Sequence, residues 1–83
     1  MIVATVLGPI WATKRLDGLP SGALLEIREL DTGNRLVALD TLGSGAGDQV
    51  LVAQGSVVAS HLPGHPPIDA MIVGLVDTNS KSK

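Results

Sequence analysis

The chain has 83 residues, a formal net charge of −2 and no cysteine, so it holds one small domain without disulfide bonds or thiolate metal sites. Hydrophobic residues make up 45% of the chain and charged residues 17%, a balance that excludes bulk disorder. The acidic balance and the single aromatic residue, Trp11, count against a surface that binds nucleic acid or an anionic membrane.

Short runs of Val, Ile and Leu, separated by Gly, Pro and Asn, predict five strands. They cover residues 2–7, 24–30, 35–42, 48–53 and 70–76. The first and last strands are apolar on both faces, apart from Thr5, which is typical of strands that are central or covered by a partner. Gly8 and Pro9 are expected to kink the chain before Trp11, which is expected in the core or an interface.

Local signals also predict a hairpin and a short helix. Residues 31–34, Asp-Thr-Gly-Asn, favour a turn between the second and third strands. Ser56 is the expected N-cap of one or two helical turns over residues 57–61. An all-β fold of five antiparallel strands and one short helix favours a small closed or partly closed barrel.

Residues 43–47 form a loop of glycine, serine and alanine that resembles a phosphate-binding motif only in part. A dinucleotide fingerprint requires glycine where Asp48 stands, and it requires a helix where a strand is predicted. The loop is therefore interpreted as a tight turn, or as a segment whose copies crowd together on a symmetry axis.

Two histidines and eight carboxylates are the other candidates for chemistry. His61 and His65 have helical metal-ligand spacing, but a Pro-Gly pair separates them and no third ligand is near in sequence. No sequence pattern of a nucleophile with an adjacent base accompanies the carboxylates. The sequence thus predicts no catalytic, cofactor-binding or metal-binding residue.

The sequence favours an oligomer on physical grounds. A core this small, without cross-links, commonly gains stability from association, and the scarcity of charge is typical of surface hidden between chains. The residues expected in the core or the oligomer interface lie on the first and last strands: Ile2, Val3, Val6, Met71, Val73 and Leu75.

The sequence resembles the EutN/CcmL family of bacterial microcompartment vertex proteins over nearly its whole length. The matching segments are residues 1–8, 12–14, 37–40, 45–51, 54–56 and 67–77. The most specific of them is the last, Pro-Ile-Asp-Ala-Met-Ile-Val-Gly-Leu-Val-Asp.

This resemblance implies a five-stranded, OB-like barrel over residues 1–77 that assembles as a pentamer, followed by a polar tail over residues 78–83. It implies a non-enzymatic shell protein in the bacterial cytoplasm, with hexameric shell proteins as partners and no cofactor, nucleic acid or membrane. The compartment is either a carboxysome or a catabolic organelle. The alternative is an OB-like module that binds nucleic acid or a small ligand. Such a module needs basic and aromatic strands or a convergent polar cluster, and neither stands out.

In a pentamer, the glycine loop is expected to approach the five-fold axis and line a narrow opening. The loop residues are Gly43, Ser44, Gly45, Ala46 and Gly47, which have little side-chain bulk. Five copies would present backbone N–H groups and serine hydroxyls as an uncharged collar able to hold a small anion. The alternative is an ordinary turn away from the axis.

Overall fold

The computed structural model describes residues 1–77, which fold into a closed five-stranded β-barrel with one short helix. The elements are β1 (Ile2–Ile10), β2 (Ala23–Glu29), β3 (Arg35–Asp40), β4 (Gln49–Gln54), α1 (Ser56–His61) and β5 (Ala70–Leu75). The predicted all-β barrel with one helix is confirmed. The predicted polar tail, residues 78–83, lies outside the described residues.

The barrel closes in the strand order β1-β2-β3-β5-β4, with one parallel pair. All neighbours are antiparallel except β3 and β5, where Leu39 lies opposite Met71. The expectation of a wholly antiparallel sheet is therefore wrong. An odd number of strands in a closed ring cannot alternate in direction all the way round, so one pair has to be parallel.

Strand β1 is longer than predicted, because it continues through Gly8 and Pro9 to Ile10. Its pairing with β2 shifts register between Val6 and Gly8, where a bulge takes up the irregularity. The predicted kink is thus a local bulge within one continuous strand. Strand β4 pairs with the first half of β1, whereas β2 pairs with β1 along nearly the full length of β1.

The predicted hairpin of β2 and β3 is confirmed, with Ala23 opposite Asp40 at one end and Arg28 opposite Arg35 at the other. The Thr32 hydroxyl donates a 2.8 Å hydrogen bond to the Glu29 carboxylate and accepts a 3.1 Å hydrogen bond from the Asn34 backbone N–H. Side-chain bonds of this kind stabilise the turn that joins the two strands.

Helix α1 begins without the serine cap that the sequence predicts. Its N-cap is Gly55, and no side chain caps the helix. Gly55 has a φ of +94°, in the region that favours glycine, and its N–H donates to the Asp69 carbonyl at 2.8 Å. The entry into the helix is therefore set by the backbone. Within residues 1–77, no helix is long and apolar enough to span a membrane.

The core fills the inside of the barrel. It consists of aliphatic side chains from all five strands: Ala4, Val6, Leu25, Ile27, Ala38, Val50, Val52, Ala70 and Ile72. The predicted alternation in β2 is confirmed, since Leu25 and Ile27 are buried and Arg28 is exposed. Leu39 is also buried, although it lies outside this cluster, because the chain just before β2 covers it close to Gly22.

Candidate functional site

Three segments meet at one end of the barrel. The register places the start of β2 between the end of β1 and the end of β3. It also places the start of β4 beside the end of β5. The glycine loop (residues 43–47) joins β3 to β4 and therefore shares this end with the loop over residues 11–22 and the end of β5. The β2–β3 turn and α1 lie at the opposite end.

Asp40, the last residue of β3, organises the glycine loop. Its side chain is 4% exposed, and it is the one buried charged side chain among residues 1–77. The Asp40 carboxylate accepts hydrogen bonds from the backbone N–H groups of Leu42 at 3.1 Å, Gly43 at 3.1 Å and Ser44 at 2.9 Å. The Ser44 hydroxyl donates a fourth bond of 3.1 Å. A buried carboxylate is costly unless it is bonded in this way.

A second carboxylate and the backbone of β1 hold the other arm of the loop. The Asp48 carboxylate accepts a bond of 2.9 Å from the Gly45 N–H, and the Asp48 N–H donates to the Gly45 carbonyl at 3.0 Å. The Gly47 N–H donates to the Val6 carbonyl at 2.9 Å, and the Val6 N–H donates to the Asp48 carbonyl at 2.9 Å. The loop thus extends the pairing of β1 with β4.

These bonds correct the expectation of an anion-binding collar. The N–H groups of residues 42–45 and 47 already donate within the chain, so they are not available to an anion. The Ser44 hydroxyl is also engaged. The sequence analysis missed the roles of Asp40 and Asp48, although an aspartate just before a turn is a known signal for bonds to the following N–H groups.

The backbone conformation requires glycine at some positions of the loop but not at all of them. Gly43 and Gly47 have φ values of +81° and +91°, a backbone conformation that other residues adopt only with strain. Gly45 has no such angle, and a Cβ atom there would meet no neighbour within 4 Å. The turn by itself therefore explains Gly43 and Gly47 but not Gly45. The approach of this loop to a symmetry axis stays a prediction.

The outer surface of the barrel has a charged side and an uncharged side. The outward positions of β2 and β3 include Glu26, Arg28 and Arg35, and Glu26 pairs with Arg35 at 3.5 Å. The outward positions of β4, β5 and the first half of β1 carry no charge. Their apolar members form what we call the apolar barrel face: Val3, Leu51, Ala53, Met71 and Val73.

The six residues predicted for the core or interface fall into three groups. Val6 lies in the core, and Ile2 is partly buried against it. Val3, Met71 and Val73 lie on the apolar barrel face, where Val73 is 39% exposed in the single chain. Leu75 pairs with the inward Val50 after a register shift in β5, so it shares the inner face at the end of the strand, where it is 52% exposed. The role of these residues between copies stays a prediction.

A groove of about 210 Å³ runs between α1 and the apolar barrel face. It is lined mainly by aliphatic side chains: Ala53, Val57, Val58, His61, Met71 and Val73. Sequence analysis missed Ala53 and Val57, which could have been found as uncharged positions in register with the last strand. The groove gives the apolar barrel face a concave margin that a complementary surface can fill.

Trp11 and the two histidines have no place in the core. Trp11 is 86% exposed, which excludes the core position that was one of its two expected places. His61 ends α1 and lines the groove, whereas His65 lies exposed in the following turn. In the part of the chain that the structure describes, no group of three or more His, Asp or Glu side chains is arranged to hold a metal ion.

Comparison with known proteins identifies similar chains that match nearly the whole sequence. The family model described as "Ethanolamine utilisation protein EutN/carboxysome" matches residues 1–77. The carboxysome shell vertex protein CcmL of Synechocystis is 40% identical over 94% of this chain and 84% of its own. The microcompartment shell vertex protein EutN of Salmonella typhimurium is 35% identical over 93% of this chain and 84% of its own.

Solved structures of similar proteins have the same fold. The pentameric shell protein of the RMM microcompartment is 52% identical, with a TM-score of 0.91 over 100% of this chain and 98% of its own. The pentameric shell protein GrpN of Rhodospirillum rubrum is 34% identical, with a TM-score of 0.82 over 94% of this chain and 95% of its own. These matches do not favour the alternative nucleic-acid-binding or ligand-binding module. The family model over residues 1–77 and the relatives both show that the chain belongs to the EutN/CcmL family.

Proposed function

We propose that this chain is a shell vertex protein, which assembles as a ring of five copies and closes the vertices of a bacterial microcompartment. The observation that carries the proposal is the match to a pentameric shell protein, at 52% identity over 100% of this chain. The relatives named as shell vertex proteins support the same role. The role is structural, so neither catalysis nor a cofactor is part of it.

The shell role implies hexagonal partners. A flat array of hexagonal tiles cannot close into a polyhedron unless five-fold units replace tiles at the vertices, which is a geometric necessity. The partners of the ring are therefore hexameric shell proteins, and its place is the shell of a microcompartment in the bacterial cytoplasm. The names of the relatives, which include carboxysome and EutN proteins, support a shell of one of these kinds.

The apolar barrel face supplies an interface between copies. Val73 exposes a large aliphatic side chain on a side of the barrel without charge, while β2 and β3 carry the Glu26–Arg35 ion pair. Burial of apolar surface is the main driving force of association. In a cyclic ring each contact is head-to-tail, so this face meets a different surface of the next copy.

The glycine loop supplies the centre of the ring in this proposal. Gly45 and Ala46 have little bulk, and the space around Gly45 is open in the single chain. Small residues allow the backbones of five copies to approach one axis closely. Because the N–H groups of residues 42–45 and 47 already donate within the chain, the opening is not expected to hold an anion through them.

Mass measurement tests the ring directly. Native mass spectrometry of the purified chain is expected to give a species of five times the chain mass of 8.5 kDa. Light scattering at micromolar concentration provides an independent measure of the same mass. A stable monomer in both measurements would contradict the proposal.

A further inference from the structure

Asp40 is placed to control the shape of the glycine loop within a single chain. Its carboxylate is buried, yet the four hydrogen bonds that it accepts all come from residues 42–44. Three successive backbone N–H groups converge on one side chain. This requires the chain to curl tightly, and Gly43 permits the curl through its φ of +81°.

The same bonds determine which backbone groups the loop shows to its surroundings. None of the peptide bonds within residues 1–77 is cis, and in a trans peptide the carbonyl points away from the N–H. The three peptides whose N–H groups donate to Asp40 therefore direct their carbonyl oxygens away from the carboxylate. A neighbour that packs against residues 42–44 meets carbonyl acceptors and the half-exposed side chain of Leu42, not the N–H groups that Asp40 holds.

We propose that Asp40 is the positioning residue for ring assembly: its carboxylate holds residues 42–44 in the conformation that the neighbouring copies contact. The inference rests on the proposed function, because it takes the loop to be part of the ring. Segments that are ordered before they bind lose less conformational freedom on association. A loop held in advance by Asp40 thus favours the ring, and a loop released from it disfavours the ring.

The first test replaces Asp40 by asparagine, which has the same shape but only one acceptor oxygen. In Asp40→Asn, an NH2 group replaces one of the two carboxylate oxygens, so the N–H groups that bond to that oxygen lose their acceptor. We expect amide hydrogen exchange at residues 42–44 to be at least about tenfold faster than in the unmodified chain. Exchange of the β4 core amide of Val52 should stay within about twofold, because the barrel itself is intact.

Ring assembly is measured on the same variant. We expect half-dissociation of the Asp40→Asn ring at a concentration at least about tenfold above that of the unmodified ring. Asp31→Asn is the matched control, since it removes the same charge from an exposed aspartate in the β2–β3 turn, at the opposite end of the barrel. Its ring should dissociate at a concentration within about threefold of the unmodified value.

Gly43→Ala provides a second variant that leaves the buried carboxylate in place. A Cβ atom at Gly43 meets no neighbour, but its φ of +81° strains any other residue, so this change disturbs the loop alone. We expect it to weaken the ring in the same direction as Asp40→Asn. If Asp40→Asn prevents folding of the barrel, Gly43→Ala decides the question.

The outcomes separate this inference from the proposed function. A monomeric unmodified chain would overturn the ring itself. The role of Asp40 alone would be overturned if the unmodified chain is pentameric and the Asp40→Asn and Gly43→Ala rings dissociate at the same concentration as the unmodified ring. Faster exchange at Val52 to the same extent as at residues 42–44 would assign Asp40 to general stability of the fold, which also contradicts the inference.

Discussion

Gly22 illustrates how one residue closes the barrel end on which the glycine loop lies. It directly precedes β2, and its φ is +136°. A Cβ atom at this position would lie 2.9 Å from the Asp40 carbonyl oxygen and 3.2 Å from the Leu39 side chain. The first distance is shorter than real Cβ contacts, so only glycine allows the chain to approach β3 this closely.

We therefore predict that Gly22→Ala destabilises the barrel. The combination of a backbone clash and a positive φ should lower the free energy of unfolding by about 1–3 kcal/mol. Gly18→Ala is the control, because Gly18 also has a positive φ but open space around it. Urea unfolding followed by circular dichroism measures both variants. Equal losses in the two would show that the close approach to Asp40 contributes nothing.

Ala46 tests where the glycine loop faces. If the loop lies close to the five-fold axis, Ala46→Trp brings five bulky side chains together and should weaken or distort the ring. If the loop faces solvent, the substitution should be nearly silent. Asp17→Trp is the control, since Asp17 is exposed in the neighbouring loop. Native mass spectrometry measures the fraction of ring in each, and an Ala46→Trp ring as stable as the control ring would exclude the axial position.

At the scale of elements, β5 separates the requirements of folding from those of assembly. The strand lies between β3 and β4, and its inward side chain Ile72 is buried in the core. The outward Val73 remains partly exposed in the single chain. In the sequence both faces of this strand are apolar, so the pattern alone does not distinguish the buried side chain from the exposed one.

Charge substitutions on β5 are predicted to act according to the face they occupy. Ile72→Asp should prevent folding, because an unpaired charge in an apolar core costs several kcal/mol. Val73→Asp should leave the barrel folded and shift the mass from pentamer to monomer. Circular dichroism and light scattering together separate the two effects.

Val37→Asp is the matched control for Val73→Asp. Val37 points outward from the neighbouring strand β3 and is 45% exposed, compared with 39% for Val73, but it lies opposite Glu26 on the charged side of the barrel. The Val37→Asp variant should remain pentameric. If Val73→Asp were as fully pentameric as this control, the apolar barrel face would not be an interface between copies.

For the whole molecule, assembly should make stability depend on concentration. Association that involves only folded chains shifts the unfolding equilibrium by mass action. We predict that the melting temperature rises with protein concentration for the unmodified chain, whereas for Val73→Asp it stays constant. Calorimetric scans over a hundredfold range of concentration measure the difference. A melting temperature independent of concentration in a reversible scan of the unmodified chain would contradict stabilisation by the ring.

Shell closure is the largest-scale consequence of the proposed function. In cells that lack this chain and any second member of its family, hexagonal tiles have no five-fold units to close them. Shells should then be elongated, open or leaky when viewed by electron microscopy. Closed polyhedra of unchanged shape in such a strain would count against the vertex role.

Much of the fold could be predicted from the sequence by itself, because its signals are local. Alternation in β2 places Leu25 and Ile27 inside, and the Asp-Thr-Gly-Asn turn defines the hairpin with β3. Each of these depends only on residues within a few positions of one another. The resemblance to the EutN/CcmL family likewise follows from short segments and agrees with the family match over residues 1–77.

The tertiary structure decided the features that depend on which distant segments lie side by side. The parallel pairing of Leu39 with Met71 arises only when the ring of strands closes. The burial of Asp40 beneath the loop and the exposure of Val73 next to the buried Ile72 follow from the same closure. Sequence periodicity describes the faces of one strand, but closure determines what covers each face, since neighbours in a barrel are far apart along the chain.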